Sequence, residues 1–133
     1  MDIARDYGVR VVLGHLPEDL LGAYSPLEER IYLDIRLTPS ERRSVLAHEL
    51  GHVHHGHTCD SGLDSALERQ ADMYAATLLV HPEDYAALER VSPDAHYIAE
   101  ELNVTTAVVD DFRRYVLKKF GPRTYAGHRL VSA

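Results

Sequence analysis

The chain reads as an α+β fold: a small antiparallel β-sheet of about three strands followed by a core of about five helices. Two observations predict it. Short β-like stretches, bounded by glycine and proline, are confined to the first third of the chain. Beyond Thr38, helix-start signals punctuate the sequence at Thr38-Pro39-Ser40-Glu41, Pro82-Glu83-Asp84 and Ser92-Pro93-Asp94.

Residues 2–7 allow a single helical turn. Val9–Leu13 follows as a strand between Gly8 and Gly14, and Leu20–Tyr24 follows Pro17. Arg30–Ile35 alternates in polarity, and Ser25-Pro26-Leu27-Glu28 is placed to close a hairpin between the last two strands. Thr38 then caps a helix. Pro39 suits its first turn and Glu41 sits three residues after the cap, so the helix is expected to run to about Gly56. A second helix is expected over about Leu63–Val80, stopped by Pro82, and a third from Pro82 to about Val91. Ser92-Pro93-Asp94 caps a fourth, ended near Leu102 by Asn103, which tolerates the left-handed conformation. Thr105 or Thr106 starts the fifth, ending at Gly121-Pro122, and residues 122–133 read as coil.

Composition narrows the function. The chain has 133 residues, the size of one ordinary domain, able to bury roughly two thirds of its unfolded surface without a disulfide framework. Hydrophobic residues at 45% and charged residues at 26% are those of a globular protein. Cys59 is the single cysteine, which excludes an intramolecular disulfide and makes a reducing compartment the expectation. No apolar run approaches the ~20 residues that span a bilayer. The charged start, Met1–Asp6, is unlike a secretion signal, so a cytoplasmic location without membrane attachment is expected. A net charge of −7 argues against a partner held through phosphates, so no nucleic-acid partner is expected. The nine histidines direct the search toward a metal site.

That search ends at His48-Glu49-Leu50-Gly51-His52, an H-E-x-x-H pentad inside the first long helix. At about 100° per residue, His48 and His52 lie about 40° apart, one turn along the helix, so two imidazoles can converge on one tetrahedral cation. Glu49 lies about 60° from His52, beside the open coordination position. There it can take a proton from a metal-activated water and deliver it to a leaving amine.

A catalytic zinc site needs a third protein ligand. On the second helix Glu68 shares a stripe with Asp72, Ala75 and Leu79, each within about 40° of it. Two carboxylates buried there without compensation would cost several kcal/mol. A zinc ion and a histidine N–H would compensate them. Glu68 is therefore assigned as third ligand, and Asp72 as acceptor for the non-ligating N–H of one zinc-bound histidine.

Other ligands fail or remain weaker. A three-histidine pattern would need H-E-x-x-H-x-x-G-x-x-H, and Gly56 and His57 are each one position off that frame. His54, His55 and His57 are read as covering the helix end, where positive charge suits the dipole. Cys59 is read as a small buried thiol. Gly51 costs about 1 kcal/mol against alanine in mid-helix, which points to close approach of another backbone. The expected neighbour is the strand Ile31–Ile35, along whose sheet edge a peptide could add as a further strand.

Ala47–His52 followed by Glu68-Arg69-Gln70-Ala71-Asp72-Met73-Tyr74-Ala75-Ala76-Thr77-Leu78-Leu79-Val80 resembles the ImmA/IrrE family of zinc metallopeptidases, over about residues 8–120. The resemblance implies a zincin-like helical core, with Glu68 in the place of the third zinc ligand of thermolysin-like enzymes. It also implies an endopeptidase that cleaves a helix-turn-helix transcriptional repressor of a phage or mobile element. Residues 1–92 are then expected to form a minimal metallopeptidase domain. Residues 93–133 are expected to form a helix-turn-helix-like segment packed on the same core.

That segment, Ile98–Val109, has the form of a DNA-binding unit, but Asp110 and Asp111 fall where base and phosphate contacts would lie. The alternative function is a non-catalytic metal-binding regulator acting on a repressor or DNA. Glu49 speaks against it, because a structural site has no use for a general base. For the oxyanion donor, Tyr24, Tyr74, His81, His96 and Tyr97 remain open, as does the oligomeric state.

Overall fold

The strand Arg30–Asp34 determines how the sheet is laid out. Ile31 and Leu33 on it are both 0% exposed, and it takes the central place. The computed structural model describes residues 3–56 and 65–117. Within them run α1 (Ile3–Asp6), β1 (Arg10–Gly14), β2 (Gly22–Ser25), β3 (Arg30–Asp34), α2 (Pro39–His55), α3 (Ser65–Leu79), α4 (Pro82–Val91), α5 (Ala95–Leu102) and α6 (Thr106–Asp111). The last continues into a π turn, Phe112–Val116. The α+β architecture is the expected one. The start of the second helix near Leu63, the roles of His57 and Cys59, the end of the fifth helix and the tail lie outside the described residues.

The three-stranded sheet has the order β1-β3-β2. The expected hairpin forms between β2 and β3, with Gly22 opposite Leu33 and Ser25 opposite Arg30. Glu29 turns its corner with φ 55°. The expectation of a wholly antiparallel sheet is corrected at β1, which pairs parallel to β3 with Arg10 beside Arg30 and Gly14 beside Asp34. The reason lies in residues 15–21. They are long enough to step across two strand spacings, about 10 Å, which leaves the centre to β3. Pairing β1 directly with β2 would put Ile31 and Leu33 at an edge.

Asp34 fastens that crossing. It is 1% exposed, accepts from the backbone N–H of Arg36 at 2.8 Å and of Leu16 at 3.4 Å, and pairs with the Arg36 guanidinium at 2.6 Å. Its own N–H donates to Leu21 O at 3.0 Å. The Arg36 side chain and these backbone donors hold its carboxyl well below the usual carboxylate range in spite of burial.

α2 begins with a complete capping box. Thr38 Oγ1 accepts from Glu41 N–H at 3.3 Å, and Glu41 Oε1 accepts from Thr38 N–H at 2.8 Å. It ends at Gly56, left-handed with φ 69°, whose N–H reaches the carbonyls of His52 and Val53. The helix is buried on two sides. Leu50 packs with Val9, Ile31, Leu33 and Leu37 under the sheet. Ala47 joins a second cluster that includes Ala75, Ala76, Tyr85, Ile98, Val109 and Phe112 from the later helices. Two-sided burial is why α2 shows no single apolar stripe in its sequence.

Gly51 answers to a different neighbour than expected. A Cβ there would lie 2.7 Å from Ala71 Cα and 2.9 Å from Ala71 O. The backbone brought close is that of α3, not of Ile31–Ile35. β3 is also no edge strand. The edge on this side is β2, where a Cβ on Gly22 would lie 2.5 Å from Val45 Cγ1 of α2. These two glycines set the distances from α2 to α3 and to the sheet.

Candidate metal centre

Three ligand atoms converge where α2 crosses α3. His48 Nε2 lies 3.1 Å from Glu68 Oε1, and His52 Nε2 lies 2.8 Å from Glu68 Oε2. Their ring centroids are 4.9 Å apart and the planes meet at 84°. One ligand atom each from His48, His52 and Glu68 can be chosen so that all lie within 4.8 Å of one another. The helix repeat puts the two imidazoles on one face of α2, and the Gly51–Ala71 contact brings Glu68, one turn before Ala71, up to them. On the far side of the first ring, His48 Nδ1 lies 2.7 Å from Asp72 Oδ1.

The donor set suits a divalent cation. Two imidazole nitrogens and a carboxylate are the ligands zinc takes in catalytic sites. At zinc–ligand lengths of 2.0–2.2 Å, tetrahedral ligand atoms stand about 3.4 Å apart, so the two nitrogen–carboxylate spacings need open by only about half an ångström. The side chains of His52 and His48 are 10% and 22% exposed, that of Glu68 38%, so the site is sheltered yet reachable.

Burial pulls the His48 imidazolium down, but the hydrogen bond to Asp72 and the charges of Glu49, Asp72 and Glu68 outweigh it and raise the pKa to about 9. Glu49 is 8% exposed. Burial and the Glu68 charge push it up to about 7, against the opposing pull of His48.

A cleft of about 450 Å³ opens over His48, Glu49 and Asp72. Its floor is α2, with Ser44, Val45, His48 and Glu49. One wall is Leu21 and Gly22, and the other is α6 with its cap Thr105, through Ala107, Val108 and Asp111. None of Tyr24, Tyr74, His81, His96 and Tyr97 is among the described residues lining it. Tyr74 is occupied elsewhere: its hydroxyl is 3.1 Å from that of Tyr7, and its ring stacks on His54 at 4.9 Å. Tyr7 also bonds His54 Nδ1 at 2.7 Å, so His54 closes the end of α2 against α1 and α3.

The α6 wall is what the sequence reading missed. It is fixed from α2, one turn ahead of His48. Arg43 Nη1 donates to Leu102 O at 2.8 Å and Asn103 O at 3.2 Å, and Ser44 Oγ accepts from Thr105 N–H at 3.1 Å. Asp111, which ends α6, is pushed up to about 6 by partial burial and by the Asp72 charge. The polar pairs join residues about 60 apart, which no local pattern reveals. The one available signal was acidic residues where a DNA-reading helix would carry basic ones.

The model of one protein family, described as the IrrE N-terminal-like domain of M78 peptidases, matches residues 4–112. No curated protein matches the chain. The matched span includes both helices that carry the candidate ligands and the helix that walls the cleft.

Proposed function

This chain belongs to the M78 peptidase family, and from that premise we propose that it is a zinc-dependent endopeptidase with its ion held by His48, His52 and Glu68. The observation that carries the reading is the convergence of both Nε2 atoms on the Glu68 carboxylate, beside an open cleft that His48 and Glu49 line. Zinc bound there supplies a Lewis acid that polarises a peptide carbonyl and acidifies a water. Glu49 takes the proton of the attacking water and passes it to the leaving amine. It lines the cleft floor next to His48, which suits it to both transfers. Asp72 holds His48 in the tautomer that leaves Nε2 free to ligate.

The β2 edge is the place for the peptide backbone. Leu21 O bonds inward to Asp34 N–H, so in the antiparallel alternation the N–H and C=O of Gly22 face away from β3. A substrate strand added there would run along the cleft floor. Residues 1–92 are assigned as the catalytic unit, and the helix-turn-helix-like segment from residue 93 as the part that completes the cleft.

A peptidase acts on a protein. The substrate class is a helix-turn-helix transcriptional repressor of a phage or mobile element, supported by the ImmA/IrrE resemblance, and the place of action is then the cytoplasm. The test is incubation of zinc-loaded protein with the repressor encoded beside its gene, wild type against Glu49→Gln, read by intact mass. Fragments that vanish with Glu49→Gln while zinc is retained support the reading. A variant that keeps full effect on repression removes it.

A further inference from the structure

We infer that Asp111 makes the cleft selective for a basic side chain, lysine or arginine, next to the bond that is cut; this rests on the peptidase reading above. The wall that carries Asp111 is fixed in place, because Arg43 and Ser44 of α2 hold the turn before α6. Its chemistry is graded. Val45 on the floor and Ala107 and Val108 on the wall offer apolar surface, and Asp111 adds a carboxylate to that wall. An aliphatic stem ending in a cation matches that sequence of surfaces.

Five carboxylates line the cleft, those of Asp19, Glu41, Glu49, Asp72 and Asp111, and no lysine or arginine is among the described lining residues. Most are committed. Glu41 closes the α2 cap, Asp72 is bonded to His48, Glu49 is the proposed base, and Asp19 sits exposed at the rim. Asp111 is different. It is partly buried and makes no hydrogen bond or ion pair with a described residue. Arg114 and His48 attract it only through space, without an ion pair, and the Arg114 guanidinium lies over the Tyr115 ring, 5.7 Å from its centroid. Completion of the core does not require an acid here either, since Val108, Val109 and Phe112 supply the buried contacts of this stretch. An anion half out of water and beside Asp72 is left for an incoming cation to neutralise.

The experiment digests a complex peptide mixture with zinc-loaded wild type, Asp111→Asn, Asp111→Glu and Glu49→Gln, and reads the new termini by mass spectrometry. Among cuts that require Glu49, lysine and arginine are expected to be enriched about tenfold at one position flanking the cut. Asp111→Asn is expected to lose the enrichment and Asp111→Glu to keep it. Glu49-dependent cuts with no basic preference, or with the same preference in Asp111→Asn, overturn this inference and leave the peptidase reading standing. Absence of Glu49-dependent cuts counts against the peptidase reading, and selectivity is then read by binding. Zinc-loaded Glu49→Gln protein is immobilised and the same mixture passed over it. Retention of basic peptides that Asp111→Asn removes supports selectivity at Asp111, and equal retention by both proteins overturns it.

Discussion

Replacing Gly51 with alanine pushes apart the two helices that hold the candidate ligands. The new Cβ would lie 2.7 Å from Ala71 Cα, 2.9 Å from Ala71 O and 3.1 Å from Ala71 Cβ. Carbon contacts settle at about 3.5–4.0 Å, so α3 must recede by roughly 1 Å at the crossing. Two effects compete. Alanine gains about 1 kcal/mol of helix propensity over glycine, and overpacking against a backbone costs about 1–3 kcal/mol. The clash is with main-chain atoms that cannot rotate away, so the cost is expected to win, by about 1 kcal/mol. At this chain length that lowers Tm by about 3–5 °C. Glu68 and Asp72 flank Ala71 on α3 and move with it. The His52–Glu68 spacing, 2.8 Å now, then exceeds the roughly 3.4 Å of a tetrahedral ligand pair, and zinc affinity is expected to fall by about ten- to a hundredfold. Thermal melts with and without zinc, and competition against a chromophoric chelator, read both effects. A Gly51→Ala protein that is more stable by about 1 kcal/mol and binds zinc unchanged would show that this contact does not set the ligand spacing.

Four further outcomes follow from the same geometry. Asp72→Asn removes the anion 2.7 Å from His48 Nδ1 and is expected to weaken zinc binding by about ten- to a hundredfold; unchanged affinity in the chelator competition would remove Asp72 from the site. In the metal-free protein, His48 is raised to about 9 from 6.5, so its contribution is full below pH 6.5 and lost as pH rises through 9. Glu49, raised to about 7 from 4.5, adds a loss of the same sign between pH 4.5 and 7. Urea midpoints of metal-free protein should therefore fall from pH 6 to 9. Zinc uptake at pH 7 should release about one proton in calorimetry across buffers of different ionisation enthalpy, and zero release would contradict the protonated cluster. Asp34 is depressed, so its contribution is present above about pH 4 and lost as pH falls below it. Asp34→Asn should be less stable at pH 6 and lose less on acidification than wild type; an equal acid loss in both would refute its role as the tie for residues 15–21.

What could be read from the sequence was local. Thr38 and Glu41 form their capping box within one turn, Gly56 and Asn103 end their helices in the left-handed conformation, and Ser25–Glu28 lies at the corner of the hairpin. The metal cluster shared that advantage. The i,i+4 spacing aligns His48 with His52, and the same repeat puts Glu68 on the buried stripe of α3, so only one long-range meeting had to be assumed. Features that depend on where distant segments cross were out of reach. The parallel pairing of β1 depends on β3 arriving between two earlier segments. The neighbour of Gly51 depends on the α2–α3 crossing. The π turn at Phe112–Val116 has a different period from the α-helix it continues, and Arg113 there reaches across to the Tyr85 hydroxyl at 2.8 Å. The cleft wall at α6 is seated by Arg43 and Ser44 through bonds spanning about 60 residues, which helical periodicity alone cannot reveal.

The most direct measurement is anomalous diffraction at the zinc edge from crystals of zinc-loaded protein. One strong peak is expected, bonded to His48 Nε2, His52 Nε2 and a Glu68 oxygen, with Glu49 close by but unbonded. A peak bonded instead at His54 and His55, or zinc-soaked crystals with Glu68 turned away from the two imidazoles, would contradict it.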